Sequence, residues 1–160
     1  MLFTNIEKGL SNIFIINTLQ KLNLPLFDGV FSNNNIPLYL LRKNNFLFIC
    51  NTKPSHEKGE HFLLFYKKRG VLYIYDSLSL PLEILPKSLK IFLNLFSNIQ
   101  IMTPNPIQSI NSNYCGFYCI FFTLFIHSNP KIKLLPFSPS LINNDKICMK
   151  NIYILLKQYQ

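Results

Sequence analysis

One stretch constrains the chain more than any other. Residues 108–126 read Gln-Ser-Ile-Asn-Ser-Asn-Tyr-Cys-Gly-Phe-Tyr-Cys-Ile-Phe-Phe-Thr-Leu-Phe-Ile, a polar loop running straight into an apolar segment. From Tyr114 to Ile126 the run is apolar but for Thr123. A helix that is apolar on every side belongs in a core. Asn111, Ser112 and Asn113 are residue types that favour helix starts, which places Cys115 in the first turn. Unpaired N–H groups and the helix dipole favour negative charge there. Thiols at helix starts ionise more easily than free ones, and the thiolate is the reactive form. Such a thiol needs a proton acceptor from elsewhere in the chain.

The 160 residues suffice for one domain, expected to span residues 1–160. Hydrophobic residues make up 49% and charged ones 14%, which excludes a disordered chain. The net charge is +9. That balance suits a polyanion such as nucleic acid, and it equally suits Lys used to keep a Phe-rich protein soluble. The four cysteines, Cys50, Cys115, Cys119 and Cys148, are irregularly spaced, and no secretory signal pattern opens the chain. Free thiols in a reducing, intracellular compartment are expected, and no secretion. The C-x3-C pair at 115 and 119 has the wrong spacing for a zinc knuckle, so Cys119 reads as a core thiol and no metal is expected. The Tyr114–Ile126 run is too short to span a bilayer.

Along the chain, residues 4–22 read as one helix or two short ones, with Leu10, Ile13, Phe14, Leu19 and Leu22 as the apolar stripe. Residues 25–37 read as a loop, marked by Pro25, Asp28-Gly29 and Pro37. Five short apolar runs read as strands: 38–41, 46–50, 61–66, 71–76 and 98–102. Lys67-Lys68-Arg69-Gly70 joins the third and fourth as a hairpin. Residues 87–96 form an amphipathic helix behind Pro86, residues 128–143 a proline-containing loop, and a last helix capped by Asp145 runs to about Lys157.

The hairpin supplies the acceptor. His61 opens one of its strands and Asp76 ends the other, so antiparallel pairing makes them neighbours. An imidazole can take the Cys115 proton, and a carboxylate can fix its tautomer and support its charge. Gln108, in the loop that delivers Cys115, can donate to a developing oxyanion together with the Cys115 N–H. Gly116 removes a side chain where substrate must approach. His56 is a second histidine of the neighbouring polar loop, and His127 follows the apolar helix, where it suits the dipole's negative end.

These residues resemble a known family. Gln108-x6-Cys115-Gly116-x2-Cys119, behind Asn-Ser-Asn, is similar to the nucleophile segment of the adenovirus-type endopeptidases (adenain), whose order is His, acidic residue, Gln, Cys. Tyr73-Ile74-Tyr75-Asp76-Ser77-Leu78 is closer to the SUMO- and ubiquitin-like-specific proteases, which share the fold. Asp28-Gly29-Val30-Phe31 to Pro37 resembles the N-terminal loop of adenain-like proteases, and the likeness covers roughly residues 10–126. It implies an α+β (mixed α/β) fold with a central mixed five-stranded sheet flanked by helices. It implies a monomeric thiol protease that cleaves viral structural precursors at Gly-containing sites with His61, Asp76, Gln108 and Cys115. Phe62 stands where the family usually has Trp, beside the substrate. The implied setting is the host nucleus or cytoplasm and the virion, with DNA or a viral peptide as activator and no membrane. No cysteine lies between Cys50 and Cys115, so a disulfide-linked activator is not expected. Two alternatives stand beside this: a SUMO- or ubiquitin-like-specific protease, and a non-enzymatic basic DNA-binding virion protein.

Overall fold

Alternation along the strands explains the architecture. In the computed structural model, which describes residues 9–128 and 135–159, β2 (Phe46–Asn51) is buried along its whole length. Phe46, Phe48 and Cys50 point to one side, where they meet Leu63, Phe65, Leu72 and Ile74 of the neighbouring strands. Leu47 and Ile49 point to the other, with Leu64 and Tyr66. A strand apolar on both faces needs cover on both, and helices provide it. The 14-residue α3 (Cys115–Ser128) packs on one face with α1 (Asn12–Gln20) and α4 (Asn144–Leu156). The short α2 (Lys87–Leu93) covers the other through Leu89, Phe92 and Leu93.

The strands pair in sequence order: β1 (Phe27–Ser32), β2, β3 (Phe62–Lys68), β4 (Val71–Tyr75) and β5 (Ile99–Ile101). The central pairs β2–β3 and β3–β4 are antiparallel, and the outer pairs β1–β2 and β4–β5 are parallel. The fold is thus mixed α+β, with a five-stranded mixed sheet and four α-helices among the described residues. The hairpin turn is Arg69-Gly70, with φ of 51° and 80°. Positive φ at both central positions matches the right-handed twist of the flanking strands.

Two expectations are corrected. Residues 38–41 are not a strand but part of a 3-10 helix, Leu38–Arg42, behind Pro37. Only Leu40 is buried, while Leu38 is 77% exposed. The place beside β2 belongs to β1, inside the segment read as a loop. Asp28-Gly29 looks like a turn but sits at an irregularity in the β1–β2 register, with Gly29 at φ 138°. Such a bulge breaks the period-2 signal without ending the strand.

Helix details shift as well. Ser11 caps α1 by accepting the Phe14 N–H at 3.2 Å, and the buried residues are Ile15 and Leu19, whereas Ile13 is 71% exposed. Residues 4–8 of the expected first helix, and 129–134 of the later loop, lie outside the described residues. Ile91 lies on the solvent side of α2, opposite Leu89, Phe92 and Leu93, and Leu95, also exposed, lies beyond the helix, which ends at Leu93 rather than Phe96. Asp145 lies in the first turn of α4, while Asn143 holds the cap position. Cys148, Ile152, Leu155 and Leu156 are buried as their spacing predicts.

Candidate active site

His61 immediately precedes β3 and Asp76 immediately follows β4. The Leu64–Tyr75 pairing brings these ends together across 15 residues of sequence. His61 Nε2 lies 2.6 Å from Asp76 Oδ1, and both residues are buried. Asp76 is itself held from three directions. Its Oδ1 accepts the Leu78 N–H at 2.9 Å and its Oδ2 the Leu80 N–H at 2.8 Å. Its own N–H donates to Thr103 Oγ1 at 2.8 Å. A carboxylate fixed in this way can in turn fix an imidazole.

Burial alone would make the His61 imidazolium less stable. The hydrogen bonds and charges of Asp76 and Cys115 outweigh it and raise the pKa from 6.5 to about 9. With Nε2 on Asp76, Nδ1 is the nitrogen left for the thiol.

Cys115 is the first residue of α3, and the helix's first backbone bond runs from the Tyr118 N–H to the Tyr114 carbonyl at 3.0 Å. At this position the Cys115 N–H has no acceptor within the helix. Gln108 is 2% exposed. Its Oε1 accepts the Ser77 hydroxyl at 2.6 Å, and its Nε2 donates to the Ser112 carbonyl at 2.6 Å. His61, Phe62, Gln108 and Cys115 line a single cleft of about 1230 Å³, and Asp76 stands behind His61. Its apolar lining includes Leu80, Ile84 and Ile110. Lys53, Glu57, Lys58 and Glu60, from the segment between β2 and β3, give it a charged lining as well.

Gly116 has a different place. A Cβ there would lie 3.0 Å from Leu10 Cβ and 3.1 Å from Ile15 Cδ1. The missing side chain makes room for Leu10, itself a lining residue of the cleft, and for Ile15 of α1. His56 has a side chain 75% exposed beside Glu57. His127 bridges α3 and the segment before β1: its Nδ1 bonds the Thr123 carbonyl at 2.8 Å and its Nε2 accepts the Leu26 N–H at 3.4 Å. Cys119 is fully buried, and burial pushes its thiol well above the ordinary range. At the hairpin, Lys67 donates to the Lys43 carbonyl at 3.0 Å and lies over the Phe46 ring.

No protein-family model and no curated protein matches this sequence. The functional reading therefore rests on the residues and their geometry. Among the described residues no group of three or more His, Cys, Asp or Glu side chains is placed to hold a metal ion, and no helix is long and apolar enough to cross a membrane. Two residues with a part in the site escaped the sequence reading. Thr103 holds the Asp76 backbone from 27 residues away, with no local signal. Ser77 holds Gln108, and its signal was adjacency to Asp76 in Asp-Ser-Leu.

Proposed function

We propose that this chain is a cysteine endopeptidase of the adenain type, with the fold those enzymes share with ubiquitin-like-specific proteases. The observation that carries the reading is the buried His61–Asp76 pair at 2.6 Å, with His61, Gln108 and Cys115 all on one cleft. Nucleophile, base, orienter and amide donor are the four parts that thiol-based acyl transfer requires.

The reaction runs in two halves. Cys115 passes its proton to His61 Nδ1, and the thiolate Sγ of the resulting ion pair forms a bond to the scissile carbonyl carbon while His61 stays protonated. The carbonyl oxygen becomes an oxyanion beside the Gln108 amide and the Cys115 N–H. Collapse breaks the C–N bond, and His61 returns its proton to the leaving amine. Water then attacks the thioester, giving a proton to His61, and the acid product leaves as the thiol is restored. Asp76 holds Nε2–H throughout.

From the family likeness come the finer expectations: viral structural precursors cleaved at Gly-containing sites, a monomeric enzyme, and DNA or a non-covalent viral peptide as activator. The Asp76-Ser77-Leu78 triplet favours a second reading with the same chemistry, the release of SUMO- or ubiquitin-like modifiers. The test is cleavage of Gly-Gly-X peptides and of a ubiquitin-like substrate panel by wild type and Cys115→Ala. The proposal expects turnover by the wild type alone, and cleavage by both proteins sinks it.

A further inference from the structure

Gln108 raises a question that the four-residue site does not answer: what decides which end of its amide faces Cys115? The two ends are nearly the same in shape, and only hydrogen-bond partners distinguish them. The Ser112 carbonyl can only accept, so the end 2.6 Å from it is the nitrogen. The other end is then oxygen, and the group 2.6 Å from it is the Ser77 hydroxyl, which must donate. Both Ser77 and Gln108 are buried, at 1% and 2% exposure, so water cannot substitute for either partner.

We propose that Ser77 is a positioning residue for the oxyanion donor: the Ser112 carbonyl sets which end of the Gln108 amide is nitrogen, and the Ser77 hydroxyl pins Oε1 and so holds that nitrogen toward the cleft it shares with Cys115. The inference rests on the cysteine-protease reading above. Nε2 carries two hydrogens. One goes to Ser112, and the second serves the cleft that Gln108 and Cys115 both line. The Ser77 carbonyl adds to the clamp by accepting the N–H groups of Ile107 at 2.9 Å and Gln108 at 3.0 Å. The Ile107 carbonyl is tied from the other side by the Tyr118 hydroxyl at 3.0 Å and Asn144 Nδ2 at 2.9 Å. Ser77 directly follows Asp76, so one turn sets both the orienter of the base and the donor to the oxyanion. Removing the hydroxyl leaves these backbone ties in place. It strands Oε1 without its donor and leaves the amide anchored at the Ser112 end alone, so the second Nε2 hydrogen is no longer held in place.

The test separates oxyanion chemistry from thiol chemistry. Alkylation of Cys115 by iodoacetamide needs the thiolate but forms no oxyanion, whereas peptide cleavage needs both. Ser77→Ala is expected to lower kcat on a Gly-Gly-X peptide by about 10- to 100-fold, approaching the loss of an oxyanion donor itself. KM and the alkylation rate should stay within about twofold of wild type. In a Gln108→Ala background the same substitution should add almost nothing, because its effect runs through that amide. Ser77→Cys, a near-isostere with a weaker donor, should fall between, and it carries the same test if Ser77→Ala does not fold. The inference is overturned by a kcat within twofold of wild type, by alkylation slowed as much as cleavage, or by losses that multiply in the double variant. Wild-type protein that cleaves no peptide defeats the protease reading first, and this inference with it.

Discussion

Asp76→Asn is the perturbation whose consequences follow most fully from the geometry. His61 is raised from 6.5 to about 9 against the opposing effect of burial, with Asp76 the first favourable partner and Cys115 the second. That difference corresponds to about 3 kcal/mol in favour of the imidazolium. An amide removes the charge, and it cannot satisfy all three groups that now donate to the carboxylate. If its oxygen stays on His61 and Leu78, its NH2 meets the Leu80 N–H, donor against donor. If it flips, His61 Nε2 meets a donor and the tautomer needed at Nδ1 is lost. In serine triads the corresponding change costs about 10⁴-fold in kcat; a thiol, ionising more readily, should lose less, about 10²- to 10³-fold. The alkaline limb of kcat/KM should move down from about 9, since burial then opposes only the Cys115 contribution. Peptide cleavage measured across pH, with alkylation of Cys115 alongside, reads both effects. An alkaline limb unmoved in Asp76→Asn, with kcat within about threefold of wild type, would refute the reasoning.

Other outcomes follow from single contacts. Gly116→Ala gains helix propensity of about 0.5–1 kcal/mol, but its Cβ meets Leu10 Cβ at 3.0 Å, an atom that cannot swing aside. Overpacking of about 1–3 kcal/mol should win, giving a lower urea midpoint. Gly59→Ala would drive a Cβ into Asn51 Nδ2, whose side chain also holds the Lys53 N–H at 2.9 Å and Asn12 at 3.2 Å. Displacement of the cleft's charged lining should raise KM more than it lowers kcat, as read in steady-state kinetics. Burial lowers the His127 pKa below 6.5, so its neutral form is the folded one. Its contribution to stability is present above the unfolded value and is lost as pH falls through the lower folded one. His127→Gln should therefore flatten the decline in unfolding free energy as pH falls below about 6.5. His61 has the opposite sign: its stabilisation is full below 6.5 and is lost as pH rises through about 9.

What could be read in the sequence divides along physical lines. The Tyr114–Ile126 run could only be a buried helix, and Cys115 at its start follows from that. His61 and Asp76 were legible because a two-residue turn at Arg69-Gly70 fixes the hairpin register, and register fixes which ends meet. β1 was not legible, because the bulge at Asp28-Gly29 breaks the alternation that announces a strand. Residues 38–41 misled for the complementary reason: a short apolar run carries no period of its own, and only Leu40 is buried. For Gly116 a sequence shows that a side chain is missing but not what occupies the space. Gln108 was found from its chain order relative to Cys115, while its partner Ser77 lies 31 residues away, where only tertiary structure connects them.

The central claim is that Cys115 is a nucleophile activated by His61, and pH-resolved alkylation tests it most directly. Iodoacetamide is added to the folded protein, and modification at each cysteine is followed by peptide mass spectrometry. The account predicts that Cys115 reacts far faster than the buried Cys50, Cys119 and Cys148. It also predicts that His61→Ala lowers the Cys115 rate at neutral pH by about tenfold or more. Equal, slow labelling of all four thiols, or a Cys115 rate indifferent to His61→Ala, would contradict it.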